Sequence, residues 1–323
     1  MRTASLALLI WIFVFIGIQS GNTADWPMWR YDEGRTAASP QQLADTLYMR
    51  WMHEYPALKP VWDDPLNQDL MQYDTVYEPI VVGKTLLFGS NAFDRIVALD
   101  TETGREKWTF HAGGPIRLPA VANQKNVYFT SDDGCLYCVR LENGELAWKY
   151  NSVPKERLML GNERLVSTWV ARGGAVLKDD VVYFGSGIWP FMGVFLFALD
   201  AETGEEIWVN DSSSVPYKEQ PHGGAWAFGG IAPQGTIAIS GERLLVPCGR
   251  SVPASFDRKT GALDYYKLHE NGKTGGAFVC ATDKHFFNYY RDGVVNLYDT
   301  ATGEGIFFRA FGQPVVTDQA FYC

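Results

Sequence analysis

The chain has little of what usually carries chemistry. Its five histidines, His53, His111, His222, His269 and His285, are scattered without metal-ligand spacing. No HExxH, GxSxG, phosphate-loop or calcium-loop pattern occurs, so the zinc-protease, serine-hydrolase, P-loop and EF-hand classes find no support. Lys and Arg total 28 against 37 Asp and Glu, for a net charge of -9, and no basic run exists. Nucleic acid is thereby excluded as a partner, because phosphate binding needs a positive footprint. Cysteines number five, an odd count, and no two are adjacent, so they do not complete a disulfide framework. In "CLYC", Cys135 and Cys138 lie three apart in a segment read as a strand, where they point to opposite faces and cannot share a metal. No histidine follows, which excludes haem attachment. Cys138 is read as a small buried residue.

What is abundant is apolar and aromatic. Of 323 residues 46% are apolar and 14% aromatic, with 32 glycines, a composition of strands and turns. Residues 6–18, "LALLIWIFVFIGI", are unbroken apolar after a single Arg2 and before small polar residues. That is the order of a secretory signal, cleaved after Ala24, and thirteen residues are short for a span needing about 20. The expectation is an exported protein, periplasmic or extracellular, with no transmembrane span once residues 1–24 are removed. Residues 25–78 read as an N-terminal segment and 79–323 as a repeat array.

The repeat announces itself in "RIVALDTETGREKW" (95–108) and "FLFALDAETGEEIW" (195–208). Five copies share one register, at 96–108, 136–148, 196–208, 253–265 and 295–307. Asp100, Asp200, Asp257 and Asp299 open the turn, with Arg140 as the exception; Gly104, Gly144, Gly204, Gly261 and Gly303 follow four residues later. Eight residues after the Asp position stand Trp108, Trp148, Trp208, Tyr265 and Phe307. The turn reads as a hairpin closed by a left-handed glycine, the Asp accepting backbone N–H groups and the aromatic burying against the next repeat. With "TLLFGS"-type strands and a short inner run upstream, each unit has four antiparallel strands at a basic period near 40 (Asp100 to Arg140). Such units cannot bury both faces alone and stack radially, so the fold class is an all-β propeller. About five complete blades are present. "QPVVTDQAFYC" reads as the start of a sixth, and "LYMRWMHEY" (47–55) reads as an outer strand closing a ring of seven or eight blades from which this sequence is truncated.

The hairpin resembles the PQQ-enzyme repeat, "LxALDxxTGxxxW", of the quinoprotein-like propellers, over about residues 79–310. The start "DWPMWRYDEGRTAASP" is also similar to that superfamily. The resemblance implies a fold shared by pyrroloquinoline-quinone dehydrogenases and by non-enzymatic propellers such as the outer-membrane assembly protein BamB. It implies for the former a Cys–Cys pair against the cofactor and Glu, Asn and Asp around Ca²⁺, and no Cys–Cys pair occurs here. No catalytic residue and no metal ligand is therefore assigned, and no cofactor is expected; PQQ with calcium enters only as the alternative.

The longer connections are the places where binding would concentrate. They cover 56–75, 151–170 and 211–230, and "GIWPFMG" at 187–193 inside the third blade. All are second-to-third-strand or blade-to-blade connections, which leave one face of an antiparallel array, opposite the T-G turns. Their Trp62, Trp169, Trp189, Phe191, Met192, Tyr217, His222 and Trp226 form the expected ligand or partner face. The leading expectation is a non-enzymatic scaffold binding a protein or small molecule. The alternatives are a PQQ/Ca²⁺-dependent dehydrogenase and the propeller module of a larger fused enzyme, methyltransferase-like for example.

Overall fold

A computed structural model describes residues 25–61, 74–161, 164–220, 223–249, 251–268, 274–290, 293–317 and 319–323. The apolar leader, Trp62 and His222 lie outside the described residues.

Five four-stranded antiparallel units follow one another, as the repeat register requires. Blade 1 is β1 (Ile80–Val82), β2 (Thr85–Ser90), β3 (Arg95–Asp100) and β4 (Glu106–His111). Blade 2 is β5 (Val121–Ala122), β6 (Asn126–Ser131), β7 (Cys135–Arg140) and β8 (Leu146–Asn151). A small hairpin, β9 (Leu158–Gly161) and β10 (Arg164–Ser167), precedes blade 3: β11 (Gly173–Lys178), β12 (Val181–Ser186), β13 (Phe195–Asp200) and β14 (Glu206–Asn210). A second hairpin, β15 (Tyr217–Glu219) and β16 (Trp226–Phe228), leads to β17 (Gly235–Thr236), which pairs in parallel with β11. Blade 4 is β18 (Ala238–Ser240), β19 (Arg243–Val246), β20 (Ala254–Asp257) and β21 (Leu263–Tyr265). Blade 5 is β22 (Thr274–Ala281), β23 (His285–Tyr290), β24 (Val294–Asp299) and β25 (Gly305–Phe311), and the short pair β26 (Val315–Val316) and β27 (Phe321–Tyr322) begins a sixth.

The turn chemistry follows the repeat. Oδ1 of Asp100 accepts from the N–H groups of Glu102 and Thr103 and from the Thr103 hydroxyl, and Gly104 turns back at φ 70° to donate to the Asp100 carbonyl. Asp200, Asp257 and Asp299 bind the corresponding threonines in the same way. Blade 2 keeps the glycine bond with Arg140 in place of the acid. The aromatic at the end of each motif then leaves its own blade. Trp108 lies on Gly144, Trp148 on Gly204, Trp208 on Gly261 and Tyr265 on Gly303, each so close that a Cβ on the glycine would stand 2.5–2.7 Å from the ring. The ring's polar edge donates to the residue after the Asp position: Trp108 Nε1 to Leu141 O, Trp148 to Ala201, Trp208 to Arg258, and the Tyr265 hydroxyl to Thr300. Cys138 stands opposite Trp148 as Ala98 does opposite Trp108, so the cysteine is a small core residue.

One expectation changes. Residues 47–55 belong to no strand, but Trp51 still docks on Gly104 and donates to Thr101 O at 3.0 Å. The docking contact therefore holds without strand pairing. At the other end Phe307 is fully exposed, and among the described residues no turn covers it.

The N-terminal residues 25–37 run across the inner strands beside the first-to-second-strand turns. Trp26 exchanges backbone bonds with Val81, Pro27 O accepts from Ala122 N, and Glu33, Gly34 and Thr36 carbonyls accept from Ile239, Ala281 and Val316. Arg35, fully buried, donates to the carbonyls of Trp29, Ala175 and Ile237. This strap touches all five blades and β26.

Two outcomes are expected. Gly204→Ala strains a left-handed position and collides with Trp148, so thermal or denaturant unfolding should show a loss of about 2–4 kcal/mol. The turn carboxylates of Asp100, Asp257 and Asp299, held below the usual range first by their threonine hydroxyls, and of Asp200, held by the Thr203 N–H, stabilise the fold above the unfolded carboxylate range. Stability should therefore fall as pH drops below about 4. Replacing these four aspartates by Asn should flatten that acid limb in chemical denaturation.

Candidate functional site

The described long connections leave strand ends opposite those that the strap crosses. The turn of 3-10 helix at Pro190–Met192 lies between β12 and β13, and β9–β10 and β15–β16 stand in blade-to-blade connections. The Val194 N–H donates to the Ser214 hydroxyl at 3.2 Å, tying two of these insertions.

The sequence-read aromatics divide by environment. Trp169 is buried and its Nε1 donates to the Met192 carbonyl at 3.0 Å, so Trp169 and half-buried Met192 pack one connection onto another. Trp189 and Phe191 pair at 6.2 Å with 43% and 65% of their surfaces exposed. Tyr217 and Trp226 pair at 6.1 Å across β15–β16, at 60% and 57%. Leu158, Leu160 and Leu165 of β9–β10 add exposed apolar surface that sequence reading did not single out.

Below this rim lies a buried ionic chain that carries no repeat signature. Arg172 makes a two-pronged contact with Asp132, both bonds 2.9 Å. Arg117 donates to Asp132 and to Asp74, each at 2.6 Å, and to Lys59 O. Asp74 also accepts from Val61 N and Asn91 Nδ2. The four charges cancel and link the first insertion, blade 2 and the approach to blade 3. Burial pulls the Asp132 carboxyl upward, but Arg172 and Arg117 outweigh it and hold the group below its ordinary range. At Asp74 burial prevails over Arg117 and the shift is upward. Glu78, beside a narrow gap lined by Asn91, Ile116, Arg117 and Leu118, is pushed up to about 8 by burial, with Arg35 opposing and Asp74 adding.

The four buried cysteines are inert. Burial raises Cys135, Cys138, Cys248 and Cys280 to about 12, so each is a thiol at neutral pH, and all five cysteines are unpaired. A cavity of ≈ 650 Å³ lies on the other side, beside the strap, lined by Asp32, Lys178, Lys284, His285, Phe287 and Phe321 among others. No helix among the described residues is long and apolar enough to cross a membrane.

Glu78 generates a test. Its folded form keeps a proton that the unfolded chain releases, so its contribution to stability declines as pH rises from the ordinary carboxylate range to about 8, then levels. Glu78→Gln should remove that decline in denaturant titrations across pH 5 to 8.

A family model described as "Outer membrane protein assembly factor BamB" matches residues 59–219. The chain is 21% identical over 277 residues to the 1-butanol dehydrogenase (quinone) of Thauera butanivorans, covering 73% of this chain and 43% of the relative. It is 22% identical to the quinoprotein ethanol dehydrogenase of Pseudomonas putida, covering 65% and 39%. Among solved structures, the quinohemoprotein alcohol dehydrogenase from Comamonas testosteroni superposes with a TM-score of 0.60 at 16% identity, over 92% of this chain and 50% of that one. The chain thus spans less than half the length of these two curated relatives, and the structural likeness speaks for the fold. The repeat motif, the family model and these relatives support a PQQ-repeat, quinoprotein-like β-propeller family for this chain.

Proposed function

We propose that this chain is an exported binding propeller, taking a protein or small ligand on the face crowned by its long connections. The observation that carries this reading is two exposed aromatic pairs, Trp189 with Phe191 and Tyr217 with Trp226, on long connections joined by the Val194–Ser214 bond and raised on a scaffold whose own core is filled. Aromatic side chains raised on a rigid frame offer large contact area at small entropic cost, the usual anchors of an interface. Export rests on the apolar leader at residues 6–18.

The relatives favour a second reading, a quinone-dependent alcohol dehydrogenase, since both curated relatives above are named as such enzymes. The donor chemistry weighs the other way. Calcium needs six to eight oxygen ligands, and among the described residues no three His, Cys, Asp or Glu side chains come together. The buried cations Arg117 and Arg172 are engaged with Asp74 and Asp132. No two cysteines are adjacent, and all five are unpaired. The described residues do not fit PQQ with calcium, and no chemical step follows from them.

One pair of measurements separates the readings. Titration of the full chain with PQQ and Ca²⁺, followed by tryptophan fluorescence and dye-linked alcohol oxidation, should give no saturable quench and no turnover. The Trp189→Ala/Phe191→Ala variant should lose the partners captured by the native protein from its own envelope while keeping its melting temperature. Saturable quench with oxidation would instead establish the dehydrogenase.

A further inference from the structure

The hairpin β15–β16 has two unlike edges. The β15 side is guarded by Pro216, Lys218 and Glu219, the residue types that keep an edge strand from pairing. The β16 side, residues 223–230, reads "GGAWAFGG", with no charge and no proline. Both strands present exposed residues, and Lys218, half-buried, holds its ammonium 4.7 Å from the ring centre of Tyr266, the residue after β21. A two-stranded hairpin is marginal in water and gains most from a third strand.

The register fixes how that strand would pair. Tyr217, Lys218 and Glu219 face Phe228, Ala227 and Trp226. Gly229 N donates to Pro216 O and Gln220 N to Ala225 O. Hydrogen-bonded positions alternate along an antiparallel pair, so the backbone groups of 225, 227 and 229 point toward β15, and those of Trp226 and Phe228 point to the open edge. The sequence about Ala227 is nearly symmetric: an aromatic on each side, then small residues.

We propose that this edge is where a second copy of the chain docks, β16 pairing antiparallel with itself across a two-fold axis at Ala227. Trp226 then exchanges both backbone bonds with the second copy's Phe228, and Phe228 with its Trp226, while the two Ala227 residues abut as a non-hydrogen-bonded pair about 4.5 Å apart at Cα. The result is a continuous sheet β15–β16–β16–β15. Tyr217, Trp226 and Phe228 of both copies share one face, with cross-strand aromatic contacts of the kind that stabilise sheets. Because one surface patch meets itself, the assembly closes at two. This assigns part of the crowned face to self-association and rests on the binding reading for that face; Trp189 and Phe191 stay outside it, so the capture experiment above fails or succeeds independently.

The test is the solution mass of the full chain by light scattering over a concentration series, with variants at the axis. The expected result is a dimer that Ala227→Lys, placing two ammonium groups face to face, weakens by at least about tenfold in dissociation constant. Trp226→Pro, which removes an outward N–H and spares the bonds to β15, should do the same. In a Cys323→Ser background, Ala227→Cys should form an interchain disulfide under mild oxidation, since abutting Cα atoms lie within disulfide reach, and Leu165→Cys on the other hairpin should not. A monomer at every concentration, a dimer indifferent to both edge variants, or equal crosslinking at 165 and 227 would overturn the proposal.

Discussion

The contact on which this molecule depends is an aromatic ring lying on a glycine of the following blade. A glycine at φ near 70° does two jobs at that point: it closes the hairpin and it leaves bare backbone for the ring to cover. The ring answers with one hydrogen bond to the carbonyl exposed beside it. Apolar burial, turn geometry and a polar contact are thus satisfied by two residues per repeat, and the docking of one blade sets the position of the next. Trp51 shows how far the contact stands by itself, since it docks from a segment that pairs with no strand.

This is also why the fold could be read from the chain. The Asp, Gly and aromatic of each repeat lie within nine residues, so local chemistry and long-range packing speak through the same short motif. Arg140, which breaks the pattern, costs blade 2 only the carboxylate cap, because the glycine bond and the Trp108 contact remain. Cys138 was legible for a related reason: its position opposite Trp148 is the position of Ala98 opposite Trp108.

The candidate site was legible only in outline. Counting residues between motifs located the insertions, and their aromatics followed. Counting could not say that Trp169 turns inward to the Met192 carbonyl while Trp189 stays outside, since both are tryptophans in long connections. Nor could it find the Arg172–Asp132–Arg117–Asp74 chain, whose members occupy four unrelated connections. Charges at such positions look like ordinary surface until the ring brings them under one rim. The fold alone does not decide what that rim does.

The strap has a consequence for how the chain must fold. A repeat array contacts only its neighbours, and its stability is close to a sum of local terms that can form or fray one unit at a time. Arg35 reaches Ala175 and Ile237, 140 and 202 residues away, and Arg30 reaches Gln313 across 283 residues. Those partners emerge long after the strap has been synthesised. The strap must therefore wait for units far along the chain, and its seating couples the blades it touches into a more cooperative whole than neighbour contacts alone would give.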